Sequence, residues 1–154
     1  MGIFSTSVDP LNEMMWAHYS DNGKGICIGF DTVELIRDLG VGFGLAIYQD
    51  EPLFYSFILG KPITSSDDFL YKHSKWRYEK EFRLIAFFIK KEEDRKVSIP
   101  SKSVTNIILG INATDETKSE IIDILKTKYN SGVKLFQAET SISLFGLTLN
   151  ELEY

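Results

Sequence analysis

Residues 81–90, Glu-Phe-Arg-Leu-Ile-Ala-Phe-Phe-Ile-Lys, do most to restrict what this 154-residue chain can fold into. Beyond Arg83 both alternating faces of the segment are apolar, a pattern that a strand sustains only with cover on each side. It is read as a central strand. Further strands are expected over 2–7, 25–31, 45–48, 97–99, 104–111, 133–138 and 143–149. A helix is expected after Asp9-Pro10, with Leu11, Met15 and His18 on its buried stripe and Met14 beside them. Others are expected over 32–39, from Ser65-Ser66-Asp67 through Phe69, His73 and Trp76, and from Thr114 or Asp115 with Ile121, Leu125 and Tyr129 aligned. Residues 50–63 follow neither period. Many strands, few helices and no regular βαβ alternation predict an α+β fold. The expectation is a single compact domain over residues 1–154, a twisted mixed or antiparallel sheet with a few flanking helices.

Charge and cysteine content remove several functions. Seventeen Lys and Arg stand against 22 Asp and Glu, so the net charge is 17 − 22 = −5. A protein that grips phosphate backbones carries the opposite sign, so a nucleic-acid partner is not expected. One cysteine, Cys27, makes no internal disulfide. His18 and His73 are the only histidines and neither lies in a ligand-spaced motif, so no metal is expected. No apolar run reaches the ~18 residues that cross a bilayer. The start of the chain lacks the basic and apolar regions of a secretory signal. A cytoplasmic protein with no membrane partner is the expectation.

Two segments can carry chemistry. The first runs from Phe4-Ser5-Thr6-Ser7 into Met15-Trp16-Ala17-His18-Tyr19. A strand end rich in hydroxyls, feeding an aromatic helix, can floor a pocket: hydroxyls orient a polar ligand and Trp16 or Tyr19 stacks on it. On the other reading the serines only cap or turn the chain, and Trp16 and His18 are core. The second segment is Trp76-Arg77-Tyr78-Glu79-Lys80-Glu81-Phe82-Arg83. Period two sets Glu79, Glu81 and Arg83 on one face. Two carboxylates beside an arginine suit chemistry that develops positive charge, above all an oxocarbenium-like centre. On the other reading this is a salt bridge at the mouth of a strand. In segment 25–31 the glycine-lined face of Gly25, Cys27 and Gly29 lets a neighbour approach closely.

Together these segments resemble the bacterial domain-of-unknown-function family 2971. The matching residues are Phe4-Ser5, Met15-Trp16, His18-Tyr19, Gly25 to Ile28, Phe30-Asp31, Tyr48, Lys75-Trp76, Tyr78-Glu79, Glu81, Arg83 and Ile107 to Gly110, within about residues 3–140. Members of that family carry a further region before the Phe-Ser strand, so a truncated homologue is one expectation. A more distant resemblance is to the ADP-ribosyltransferase superfamily, whose split sheet places a Ser-Thr-Ser strand, an aromatic helix and a later Glu-x-Glu strand in this order. That resemblance implies NAD as substrate, with no metal, in a toxin or phage-defence setting. Glu81 would bind the nicotinamide ribose and stabilise its oxocarbenium, and Glu79 would activate the acceptor. The implied NAD-binding residues are Ser5, Ser7, Trp16, His18, Tyr19 and Arg83. The superfamily's Arg or His strand would lie upstream of Met1. The alternative is a non-catalytic domain that binds a protein partner or forms a homo-oligomer.

Overall fold

A computed structural model of the chain describes residues 1–37, 39–51, 66–129, 132–143 and 145–154. In chain order its elements are β1 (Gly2–Ser7), α1 (Glu13–Tyr19), β2 (Ile26–Phe30), α2 (Thr32–Ile36), β3 (Gly42–Leu45), β4 (Ile47–Gln49), β5 (Tyr71–His73), β6 (Glu81–Ala86), β7 (Val104–Leu109), α3 (Asp115–Lys128), β8 (Lys134–Thr140) and β9 (Leu147–Leu152). Short 3₁₀ turns cover Ser66–Phe69, Ser74–Glu79, Glu92–Arg95 and Ser101–Ser103. The α+β expectation holds. Contacts gather the residues into two compact units, Met1–Asp9 with Asp38–Ser98 and Pro10–Arg37 with Ile99–Tyr154.

In the first unit β6 is the middle strand of an antiparallel sheet ordered β1-β6-β3. Leu84, Ile85 and Ala86 are buried, as two apolar faces require. The strand stops at Ala86, short of its expected end, and Phe87 and Phe88 are exposed. The expected strand 45–48 divides at Ala46, whose N–H donates to the Glu81 carbonyl at 2.8 Å. Its second part, β4, pairs in parallel with β5 in the register Ile47↔Tyr71 to Gln49↔His73. That pairing replaces the helix expected through Phe69, His73 and Trp76. Two 3₁₀ turns and a strand stand there instead, because a non-local ladder outweighs a weak local period. The expected cap at Ser65, and 50–63 apart from Asp50 and Glu51, lie outside the described residues. No strand forms over 97–99, where Val97 and Ile99 are exposed.

The second unit has a four-stranded sheet ordered β2-β7-β8-β9, with β7 and β8 parallel and joined through α3. Thr114 caps α3 by accepting from the Thr117 N–H at 3.1 Å. Leu125, Ile121, Ile122 and Tyr129 of this helix segment pack with Val104, Ile107, Leu109, Val133 and Leu135. A second cluster gathers Trp16, Ile108 and Ala138. Ile108 alternates with Ile107 and Leu109, so the two clusters use opposite faces of β7. The glycine face of β2 is closely approached: a Cβ on Gly29 would run into the Asn106 side chain. Helix α1 starts later than expected. Asn12, not Asp9, is its cap, accepting from the Met15 N–H at 3.2 Å, while Asp9 pairs with Lys80 in the first unit. The buried residue of α1 is Trp16, whereas Met14, His18 and Tyr19 are exposed, against the stripe expected for Met14 and His18.

Candidate functional site

The charged face of the first unit is built by strand register. β1 and β6 run antiparallel with Ser5 opposite Arg83 and Ser7 opposite Glu81. Opposed residues share a sheet face, so both serines join Glu81 and Arg83 there. Glu79 arrives from the 3₁₀ turn before the strand. Lys80, in the left-handed region at φ 44°, ends that turn and sends the chain straight into β6. The Ser7 hydroxyl donates to the Glu79 carbonyl at 2.7 Å, and the Tyr48 hydroxyl accepts from the Glu81 N–H at 2.8 Å. These two bonds fasten the mouth of the strand to β1 and β4.

Four charged side chains meet there. The Lys72 ammonium, from β5, bonds the Glu79 carboxylate and lies 3.2 Å from Glu81 Oε2. Arg83 donates to the same Glu81 oxygen at 2.8 Å and to the Phe69 carbonyl at 2.6 Å. Ser5 lies opposite Arg83 on the neighbouring strand, at the edge of this group. Both carboxylates are nearly sealed, with 4% and 6% of their side-chain surfaces exposed, against 21% for Lys72. Trp76 stands over the ammonium, 5.2 Å from ring centroid to Nζ, and its other neighbour is Tyr78 at 6.1 Å. Arg77 lies 5.7 Å over the Tyr48 ring.

The electrostatics follow from that packing. Burial pushes the Glu81 carboxyl up, but bonds from Arg83, Ser5 and Lys72 and the arginine charge outweigh it, leaving it below its ordinary value. Burial likewise pulls Lys72 down, and the bonds and charges of Glu79 and Glu81 more than reverse this. At neutral pH Glu81 is an anion and Lys72 a cation. Lys72 is therefore no base or nucleophile, and Glu81 no proton donor. What the group offers is two carboxylates, balanced by two cations and sheltered from water, beside an aromatic face.

Of the residues singled out in the sequence, Ser5, Ser7, Glu79, Glu81 and Arg83 come together in the first unit. Trp16, His18 and Tyr19 belong to the second. There the Trp16 indole donates to the Pro10 carbonyl at 2.8 Å within the core, and His18 and Tyr19 sit edge to face at 6.4 Å. Trp16 also walls a cleft of about 800 Å³ with Glu13, Asn22, Ile111, Phe145 and Leu147. Among its described lining residues Glu13 alone is ionisable, so the cleft has no acid–base pair. Burial raises the Cys27 thiol above its ordinary value, as suits a packed rather than a reactive cysteine. No metal-binding cluster occurs among the described residues, nor any helix there long and apolar enough to cross a membrane.

Lys72 is the site residue that the motifs did not mark, while Tyr48 was marked only by the family resemblance. Lys72 sits in Tyr-Lys-His, a triplet with no spacing signal, and its partners follow only from the β4–β5 pairing. Comparison with known families matches residues 15–84, a little under half of the chain, to a protein family of unknown function (DUF2971). This supports the resemblance to that family over the stretch holding Tyr48, Lys72, Glu79, Glu81 and Arg83. No curated protein and no solved structure matches the chain.

Proposed function

We propose that this chain cleaves the nicotinamide–ribose bond of NAD in the manner of an ADP-ribosyltransferase and passes ADP-ribose to an acceptor, with Glu81 steadying the developing cation. The observation that carries this reading is the β1–β6 register, Ser5 opposite Arg83 and Ser7 opposite Glu81, which sets the serine-rich strand end beside the Glu-x-Glu mouth. The bond from Arg83 keeps Glu81 ionised and fixed in direction. A preorganised anion in a water-poor site stabilises positive charge more than one in bulk solvent.

In this reaction the glycosidic C–N bond breaks and its electron pair leaves with nicotinamide, which becomes neutral. The ribose carbon is left as an oxocarbenium ion facing Glu81. An acceptor hydroxyl or water then bonds to that carbon and gives its proton to Glu79. Ser7 holds the Glu79 backbone, and Arg83 holds Glu81 in register. The test is nicotinamide release from NAD. Wild type should release it, and Glu81→Gln should be slower by a factor of about 100 to 1,000, the usual loss of one electrostatic stabiliser. A wild-type protein that neither binds NAD nor releases nicotinamide ends this reading.

A second reading has its own observation. The other face of the β1-β6-β3 sheet carries Phe4 and Phe43 on either side of Leu84, with Leu45 beside Phe82. Phe4, Phe43 and Leu45 are exposed to 50%, 52% and 60%. Neighbouring apolar side chains on one face suit a contact with another protein or a second copy of this chain.

A further inference from the structure

We propose that the space held by the Lys72 ammonium is a binding slot for a flat organic cation, and that Lys72 is its displaceable internal occupant. The slot has two kinds of wall, the carboxylates of Glu79 and Glu81 and the ring of Trp76. Carboxylates with an aromatic face form a cation receptor, and the ammonium already makes both contacts.

Three observations single out Lys72 as the part that leaves. Its side chain keeps 21% of its surface exposed, while both carboxylates are almost sealed, so Lys72 is the member of the group nearest to solvent. It reaches the slot on a flexible four-carbon stem from β5, one of two short strands in their own small sheet. Arg83 is the contrasting cation: it is tied to Glu81 and to the carbonyls of Phe69 and Tyr71, and so stays. When Lys72 swings out, Glu81 keeps its arginine and the slot gives up one positive charge, which an incoming cation restores. Trp76 is 44% exposed, so its ring is reached from solution and its face is freed when the ammonium leaves.

The geometry favours a flat, delocalised cation over a second ammonium. A ring can cover the indole and direct its charge at the carboxylates, where an ammonium only repeats what Lys72 does. A pyridinium has this form. The inference rests on the proposed NAD reaction for the identity of the natural cation, the nicotinamide ring before bond cleavage. The tethered ammonium competes as an intramolecular ligand, so the wild-type slot binds weakly and opening it is a step that controls access.

The probe is 1-methylnicotinamide, a pyridinium with no ribose bond to break, titrated by calorimetry into wild type, Lys72→Ala and the double variant Lys72→Ala with Trp76→Leu. Lys72→Ala should bind it about tenfold or more tighter than wild type, and adding Trp76→Leu to that variant should remove the gain. Should Lys72→Ala not fold, Lys72→Gln keeps a donor without the charge and should show the same tightening. Folded variants that bind no more tightly than wild type overturn the proposal, as does a gain that survives loss of Trp76. Because the probe cannot be cleaved, this result is separate from nicotinamide release. Cleavage without tighter binding defeats the slot alone, and tighter binding without cleavage defeats the NAD reaction alone.

Discussion

Glu81 and Lys72 hold their charges against burial, and they shape stability from opposite ends of the pH scale. The folded state lowers the Glu81 carboxyl, so its contribution is present above its ordinary value of 4.5 and fades as pH falls through the lower folded value. It raises Lys72, so that contribution is present below the ordinary 10.5 and fades as pH rises through the higher folded value. Denaturant midpoints should stay level between those values as far as these two groups are concerned. Glu81→Gln should flatten the acid limb, and Lys72→Met the alkaline one. Lys72→Met also leaves the Glu79 carboxylate buried without its ammonium, which should cost about 3 kcal/mol at pH 7 by urea unfolding. A variant as stable as wild type at pH 7 shows the ion pair to be neutral. Period two accounts for Glu81 and Arg83 on one face of β6, whereas Glu79 reaches the group from a 3₁₀ turn that left-handed Lys80 ends. Lys72 escaped notice because a lysine is solvated in most chains, and only the pairing of β4 with β5 brings it inward.

Elements were legible where one local rule acted alone. The apolar run after Arg83 marked β6, Thr114 marked the start of α3, and Asp31 caps α2 by accepting from the Glu34 N–H at 2.9 Å. They were illegible where distant pairing decided, as in the two turns and the strand between Ser66 and Glu79. No strand forms over 97–99, a three-residue stretch between Lys96 and Pro100 whose Val97 and Ile99 stay exposed. Glycines follow the same division. Gly110 lies where a Cβ would strike the Gly23 carbonyl oxygen, and its N–H donates to the Gly25 carbonyl at 2.9 Å. Backbone cannot yield as a side chain can. Gly110→Ala should therefore lose about 1–3 kcal/mol by thermal or urea unfolding. Gly132→Ala, with its nearest neighbour at 3.8 Å, should change stability little and serves as the control. Equal losses at both glycines would remove close approach as the reason for Gly110.

At the scale of the whole chain, interleaving explains why no linker was visible in the sequence. The two units each combine an early and a late stretch of chain, so the polypeptide passes between them near residues 9, 37 and 98. Such passages need no Pro- or Ser-rich spacer. Net charge also belongs to this scale. Eleven acids against seven bases in Pro10–Arg37 and Ile99–Tyr154, and eleven against ten in the rest, give −4 and −1, which sum to the −5 of the chain. Two copies repel one another over a range set by salt, about 8 Å at 0.15 M and less at higher ionic strength. The apolar face of Phe4, Phe43 and Leu45 attracts at contact and is insensitive to screening. Self-association through that face should consequently strengthen with salt, whereas association through ion pairs should weaken. Sedimentation should give a weight-average mass near the 17.6 kDa monomer in dilute, low-salt buffer and a rising mass with concentration at high salt. Phe4→Ser with Phe43→Ser should hold the protein at the monomer value throughout, since it removes the attraction and leaves the charge unchanged. A mass that falls as salt is added, or a rise that persists in the double variant, would assign the contact to another surface.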